Sequence, residues 1–254
     1  MSEENKKKKT GLVLGGGGAR GFAHLGVFKA LQEKGVKPDV ISGVSAGAIV
    51  GAFIASGMDA EEIFDLLSAK KLFDISRIQI PRDGFLYFRG LKEQVDKNIK
   101  YKNLEDLPIP LIIAAANLNS GKIEYFRKGT LADILLASAS IPIVFSPVDI
   151  KGSRYVDGGL IDNLPVKPLY RKVDLLIGVN ISPLHEEKDV GNLVQVAKRV
   201  FDISVHSGAV KEGRKCDILI EPPDLEKYDI LRNKKASEIF KLGYDYTRSL
   251  DLKI

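Results

Sequence analysis

The sequence predicts an α/β protein with a mostly parallel central sheet and helices on both faces of that sheet. Short apolar runs alternate with segments of helical periodicity from residue 11 onward, which is typical of repeated strand–helix units. Glycine-rich turns follow the first two predicted strands, at the edge where such sheets bind ligands. The chain has 254 residues, 44% of them hydrophobic, so it can form a full core.

The first half of the chain is predicted to form two strand–turn–helix units. The strands are assigned to residues 11–14 and 39–41, and the helices to residues 19–33 and 46–56. Asp59 is expected to cap a further helix. Residues 71–90 are less regular, and their turn signals and aromatic residues indicate a loop or a short hairpin.

The second half continues the alternation. Helices are predicted at residues 91–99, 130–139, 192–212 and 234–250, and strands at 111–117, 123–126, 173–180 and 218–220, with two short strands within 144–156. The strand at 123–126 is expected to pair with the one at 111–117 through a tight turn.

The charge balance argues against a protein that binds nucleic acid. Lysine and arginine total 38, aspartate and glutamate 33, and the net charge is +5. Four lysines, Lys6 to Lys9, lie in a polar N-terminal stretch, and without them the balance is close to neutral. Residues 1–10 are therefore predicted to be a disordered basic tail, and residues 11–254 a single domain.

Cysteine content and hydropathy indicate a cytoplasmic protein. Cys216 is the only cysteine, so the chain has no internal disulfide and no second cysteine for a zinc site. The longest apolar stretches, such as 49–56 and 111–116, are too short to cross a membrane, and the N-terminus lacks a signal-peptide pattern. We expect any membrane contact to be peripheral, at the inner face.

The first glycine-rich turn, Gly15 to Gly21, can hold an anion or a developing oxyanion. Residues without side chains let backbone N–H groups converge at the start of a helix. A dinucleotide site would need an acidic residue at the end of the second strand, and Asp39 lies at its beginning. A Walker-type loop would need a Lys-Ser or Lys-Thr pair after the glycines, and the sequence has none there.

The second turn has the pattern G-x-S-x-G, with Gly43 and Gly47 on either side of Ser45. Between a strand and a helix, these glycines permit a sharp turn that lifts the serine hydroxyl above the sheet, as in a nucleophile elbow. The alternative is that Ser45 only caps the helix. A nucleophilic serine also needs a base and preorganised oxyanion donors.

Asp157 is one candidate base for Ser45. The glycines that follow it let its carboxylate approach another backbone closely, and it needs a short distance and some desolvation to accept a serine proton. The order Ser45, Asp157 and then His185 or His206 also matches an α/β-hydrolase triad, although only two predicted strands precede Ser45. His24, within the first predicted helix, is expected to be structural.

Three blocks of the sequence together resemble the patatin-like phospholipase family, particularly its small bacterial single-domain members. The blocks are Gly16-Gly17-Gly18-Ala19-Arg20-Gly21, Gly43-Val44-Ser45-Ala46-Gly47 and Asp157-Gly158-Gly159. Residues 137–142, with the sequence ASASIP, are similar to a further block of that family. The resemblance covers residues 11–181 and implies a three-layer α/β/α sandwich with one catalytic domain.

The resemblance further implies a serine acyl-ester hydrolase that acts on lipid or lysophospholipid through a Ser-Asp dyad, without a metal or cofactor. By position, Ser45 would be the nucleophile and Asp157 the base, and N–H groups of Gly17, Gly18 and Ala46 would form the oxyanion hole. The remaining glycines of the blocks would shape the turns: Gly16, Gly21, Gly43, Gly47, Gly158 and Gly159.

Other assignments stay open at this level. Arg20, at a helix start, is expected to pair with an acid such as Asp162 or to contact a substrate phosphate. Phe85, Tyr87 and Phe88 are candidates for a lid or acyl-chain wall, with packing on the core as the alternative. Two other functions also remain: a catalytically idle module that holds a fatty acid or phosphate, and a hydrolase with a Ser-Asp-His triad.

Overall fold

The described residues form one mixed eight-stranded sheet with helices on both faces. The computed structural model describes residues 8–70, 89–142, 144–184, 191, 193–228 and 235–252. The strands are β1 (Thr10–Leu14), β2 (Val40–Val44), β3 (Leu111–Asn117), β4 (Lys122–Phe126), β5 (Val148–Ile150), β6 (Ser153–Asp157), β7 (Leu175–Val179) and β8 (Ile218–Ile220). The helices are α1 (Phe22–Glu33), α2 (Ala46–Ala55), α3 (Ala60–Lys70), α4 (Arg89–Asn98), α5 (Leu131–Ala139), α6 (Leu193–Gly213) and α7 (Ala236–Ser249).

Five strands of the sheet are parallel, as the alternating pattern predicted. β8, β7, β1, β2 and β3 lie side by side in that order. β4 pairs antiparallel with β3, which confirms the predicted hairpin. β6 also pairs antiparallel with β3, and β5 lies outside β6.

Alternation along β1 produces two cores, one on each face of the sheet. Leu12 and Leu14 belong to a core shared with α1, α2 and α3. Val13 points to the other face and packs in a cluster that contains Ala209 of α6. The three layers implied by the family resemblance are therefore helices, sheet and helix.

The bounds of β2, α1 and β1 differ by a few residues from the predicted ones. β2 extends to Val44, so Ser45 follows the strand directly. The helix predicted from residue 19 begins instead as a 3₁₀ turn, Gly18–Gly21, and continues as α1. β1 begins at Thr10, whose N–H donates to the Asp39 carboxylate, so the expected tail boundary at residue 10 falls inside β1.

Asp59 caps the start of α3, as the sequence predicts. The Asp59 carboxylate accepts from the N–H of Glu62 at 2.8 Å, and the Glu62 carboxylate accepts from the N–H of Asp59 at 3.2 Å, which is a capping box.

Among the helices described, none combines the length and hydropathy that a bilayer span requires.

Candidate active site

Ser45 lies at a strained turn between β2 and α2. Its φ of 52° and ψ of −124° are rare for a residue with a side chain, and the described residues give its hydroxyl no cap bond to α2. A Cβ at Gly43 would lie 2.8 Å from the Gly47 carbonyl oxygen, and a Cβ at Gly47 would collide with the Leu14 carbonyl. The turn therefore has the geometry of a nucleophile elbow rather than of a simple helix cap.

The register of β3 brings Ser45 and Asp157 together. Ala114 of β3 pairs with Val44 at the end of β2, and the next residue, Ala115, pairs with Asp157 at the end of β6. Both β3 residues also pair with β4, and since a strand has only two edges, β2 and β6 must share the other one. The two strands approach end to end, so Ser45 and Asp157 meet where both chains leave the sheet.

The carboxyl of Asp157 is buried and points at the serine. Its residue is 2% exposed, and burial raises its pKa from 3.8 to about 6. A hydrogen bond from the Ser45 side chain and one from the Gly159 N–H, at 2.8 Å, oppose that rise in pKa. Gly158 must be glycine because a Cβ there would lie 2.6 Å from the Ala114 carbonyl oxygen. The arrangement is a desolvated carboxyl in contact with a serine.

Ser138 and Ser140 connect the block at residues 137–142 to both strand ends. The hydroxyl of Ser138 accepts from the N–H of Ser45 at 2.9 Å and donates to the Ala114 carbonyl at 2.7 Å. The carbonyl of Ser140 accepts from the N–H of Asp157 at 2.8 Å. Sequence reasoning singled out this block but assigned it no role, because its partners are distant in the chain.

The first glycine turn lies beside Ser45. A Cβ at Gly16 would lie 3.3 Å from the Ser45 Cβ. Among the described residues, no hydrogen bond occupies the N–H groups of Gly17 or Gly18, whereas the N–H of Gly16 donates to the Asn163 carbonyl at 3.2 Å. The N–H of Ala46, at the start of α2, has no partner within its helix. These N–H groups of Gly17, Gly18 and Ala46 are the candidate oxyanion donors.

Arg20 does not pair with Asp162. Its guanidinium donates instead to the carbonyls of Tyr228, Pro183 and Glu226 at 3.0–3.4 Å. This arrangement ties the glycine turn to the C-terminal part of the chain. Among the described residues, Asp162 is therefore not the acid that pairs with Arg20, and the broader expectation of an acidic partner or a substrate phosphate stays a prediction.

Asp162 has a different partner. Its Oδ2 accepts from the hydroxyl of Tyr125 at 2.6 Å, and its buried Oδ1 has no hydrogen bond from a described residue. Burial raises the pKa of Asp162 to about 6. The carboxyl therefore serves the packing of β4 against the loop after β6.

The two described histidines bond to backbone carbonyls and not to Ser45 or Asp157. His24 is fully buried, its Nε2 bonds to the Gly15 carbonyl at 2.8 Å, and burial lowers its pKa to about 4, so it is neutral and structural as expected. His206 bonds through Nδ1 to the Ser182 carbonyl at 3.1 Å. Among the described residues, the hydrogen bonds that shift the pKa of Asp157 come from Ser45 and Gly159 and not from a histidine.

Some candidates lie outside the part of the chain that the structure describes. They are His185 and the three aromatic residues of the expected lid, Phe85, Tyr87 and Phe88. Within the described ranges, no group of three or more histidine, cysteine or acidic side chains is placed to hold a metal ion.

The fold and the site define a class of protein: α/β proteins that hold a serine at a nucleophile elbow, beside a buried carboxylate and a glycine turn whose N–H groups include two unpaired ones among the described residues. The family model for patatin-like phospholipases matches residues 12–170. The chain belongs to the patatin-like phospholipase family.

Proteins with similar sequences are consistent with this family assignment. An NTE family protein of Mycobacterium tuberculosis is 34% identical over 177 residues, which are 68% of this chain and 49% of the relative. Lysophospholipase NTE1 of Saccharomyces cerevisiae is 26% identical over 270 residues, 94% of this chain and 16% of that protein. The chain thus spans half or less of these relatives.

A solved structure shares the fold. VipD from Legionella pneumophila superposes with a TM-score of 0.54 over 95% of this chain and 66% of its own, at 19% sequence identity. At that identity the likeness concerns the fold alone.

Proposed function

We propose that the protein is a serine acyl-ester hydrolase that acts on lipid or lysophospholipid, with Ser45 as nucleophile and Asp157 as general base. One observation carries the proposal: β2 and β6 end at consecutive positions of one edge of β3, so the serine and a desolvated carboxyl are in contact. The lipid substrate class is supported by the patatin-like family and by the lysophospholipase name of a relative.

In the first half of the reaction, Asp157 accepts the proton of Ser45 as the serine oxygen attacks the ester carbonyl. The free N–H groups of Gly17, Gly18 and Ala46 stabilise the resulting oxyanion. When the tetrahedral intermediate collapses, the C–O bond to the alcohol breaks, and the alcohol leaves with the proton from Asp157. The product of this half is an acyl-serine.

In the second half, Asp157 takes a proton from water as the water oxygen attacks the acyl carbonyl. Collapse releases the fatty acid and returns the proton to Ser45. A pKa of about 6 suits this cycle, because the carboxyl is ionised at neutral pH and still basic enough to bind a proton transiently.

An apolar stripe on α6 supports contact with a lipid surface. Its exposed residues fall on one face of the helix, at i, i+4, i+7 and i+14: Val196, Val200, Ile203 and Val210. Exposed basic side chains, Lys211 and Arg214, accompany them, which suits an anionic lipid surface. We place the protein at the inner face of a membrane, in a reducing compartment that fits its single cysteine.

The stripe continues toward the active site. Ser204 of α6 donates to the Leu160 carbonyl at 2.9 Å, in the turn that follows Asp157. The neighbouring Ile161 is 42% exposed. Lipid bound along α6 would therefore lie next to the loop that carries the base.

Turnover of a soluble p-nitrophenyl acyl ester and of a lysophospholipid tests the proposal, together with labelling by a fluorophosphonate. Ser45→Ala and Asp157→Asn are expected to lose turnover by about three orders of magnitude or more. His185→Ala and His206→Ala test the triad alternative and should not lose turnover on that scale. In the native protein, kcat/KM should fall as the pH drops below about 6, because protonated Asp157 cannot act as a base.

Each contrary outcome points to a different function. Loss of turnover as large as that of Ser45→Ala in either histidine variant would favour a Ser-Asp-His triad. A native protein that neither hydrolyses esters nor reacts with the fluorophosphonate would be a binding module.

A further inference from the structure

The carbonyl groups of the first glycine turn are held by buried side chains from other parts of the chain. The Gly16 carbonyl accepts from the hydroxyl of Ser182 and from the side-chain amide of Asn163 at 3.4 Å. The same amide donates to the Ser182 hydroxyl oxygen at 3.2 Å. Ser182 and Asn163 are only 7% and 2% exposed, so both bonds are shielded from water.

Because the Gly16–Gly17 peptide is planar, the bonds to the Gly16 carbonyl also set the direction of the Gly17 N–H group. In a trans peptide, the carbonyl oxygen of one residue and the N–H of the next point in opposite directions. Because Ser182 and Asn163 hold the Gly16 carbonyl on their side, the N–H of Gly17 must point away from them. Gly17 and Gly18 are the two glycines of this turn, Gly15 to Gly18, whose N–H groups are unpaired among the described residues.

Ser182 is itself held from both sides. Its N–H donates to the Asn180 side-chain oxygen at 3.1 Å, and its carbonyl bonds to Nδ1 of His206 at 3.1 Å. Ser182 follows β7 and lies beyond residues 12–170, the range that the family model matches. The support of the glycine turn thus comes partly from a segment outside that range.

We propose that Ser182, together with Asn163, is a positioning residue that orients the Gly17 N–H toward the substrate oxygen. The inference rests on the proposed hydrolase function, since it names how one oxyanion donor of that site is held. Neither side chain touches the substrate; both act through the Gly16–Gly17 peptide.

The test compares Ser182→Ala and Asn163→Asp with Ser42→Ala. Ser42 is a matched control, because its hydroxyl is also buried and donates to a distant carbonyl, that of Pro165, at 2.8 Å. Asn163→Asp keeps the shape of the side chain but places an oxygen against the Gly16 carbonyl. Ser182→Thr restores the hydroxyl and serves as the rescue variant.

Two readouts separate positioning from stability and from the proposed function. Turnover of the p-nitrophenyl ester should show kcat lowered about tenfold to a hundredfold in Ser182→Ala and Asn163→Asp, with KM little changed, since the bond acts on the transition state. Amide hydrogen exchange of Gly15 and Gly16, whose N–H groups are paired in the native turn, should be faster in the same variants. Ser42→Ala should change neither quantity, and Ser182→Thr should recover most of kcat.

An unchanged kcat in Ser182→Ala, with the native protein active, overturns the inference whether or not exchange becomes faster. Equal loss of kcat in Ser42→Ala also overturns it, because the effect would then be general destabilisation. If the native protein is inactive on esters while exchange in the turn is accelerated only in Ser182→Ala and Asn163→Asp, the hydrolase proposal fails and the support of the turn stands. Unchanged exchange in an inactive protein overturns both.

Discussion

At the scale of single residues, the buried carboxyl of Asp157 lowers the stability of the folded protein when it is ionised. Desolvation makes its ionised form costly, and a pKa of about 6 instead of 3.8 corresponds to about 3 kcal/mol at pH values above 6. Hydrogen bonds from Ser45 and Gly159 offset part of that cost. No cation within the described ranges lowers the pKa of this carboxyl, so its pKa stays raised.

The first prediction concerns the pH dependence of stability in Asp157→Asn. Between pH 3.8 and 6 the native state binds a proton at Asp157 that the unfolded state has released, so native stability falls as pH rises through this window. Asp157→Asn has no titrating carboxyl at this position, so its stability does not fall in this way as the pH rises. Its free energy of unfolding, relative to the native protein, should rise by about 2 kcal/mol from pH 4.5 to pH 8.

Urea unfolding at several pH values measures this difference. Asp149→Asn, at an exposed position of β5, is the control and should show no such rise. A pH-independent difference for Asp157→Asn would show that Asp157 is not desolvated in the folded protein.

At the scale of elements, the two faces of α6 have different surroundings. Its inner face buries Val205 and packs Ala209 against the sheet, and its side chains bond to the Leu160 and Ser182 carbonyls. Its outer face exposes the apolar stripe, with Val200 62% exposed. Such a stripe on a surface helix is a candidate for contact with lipid.

The second prediction is that the stripe governs vesicle binding. In the Ser45→Ala background, which removes the proposed nucleophile, the double change Val200→Glu and Ile203→Glu should weaken sedimentation with phosphatidylcholine–phosphatidylglycerol vesicles about tenfold or more. The physical reason is that two apolar contacts are lost and two negative charges face an anionic surface.

Tyr170→Glu provides the matched control, because Tyr170 is also exposed but precedes β7, at the opposite edge of the sheet from Ser45. Its vesicle binding should equal that of the Ser45→Ala protein. Equal weakening by both changes would indicate a general charge effect, and no weakening by the double change would remove α6 from the lipid contact.

At the scale of the whole molecule, α7 joins the C-terminal part of the chain to the first helix. α1 and α7 approach closely at two glycines: a Cβ at Gly26 would lie 2.7 Å from the backbone nitrogen of Tyr244, and a Cβ at Gly243 would collide with the Ala23 carbonyl. Phe240 of α7 also stacks edge-to-face on Phe64 of α3, with centroids 5.1 Å apart. The C-terminal helix therefore completes the helical layer over the sheet.

The third prediction is that Gly243→Val destabilises the protein by about 3 kcal/mol or more, because a side chain there must force two helix backbones apart. Urea unfolding followed by circular dichroism measures the effect. Lys241→Val, at an exposed position of the same helix, introduces the same residue and should cost well under 1 kcal/mol. Similar losses in both variants would mean that valine propensity rather than packing is responsible.

The sequence alone determined the features that depend on neighbouring residues. Alternating apolar runs indicated the α/β class, and the glycines around Ser45 indicated a sharp turn, since turn geometry depends on residues a few positions apart. Tertiary structure decided which distant groups meet. Ser45 and Asp157 lie over one hundred positions apart, and only the register of β3 places β2 and β6 end to end. The carbonyls around Arg20 and the support from Ser182 arise in the same way, because no local pattern encodes which loops converge at one edge of a sheet.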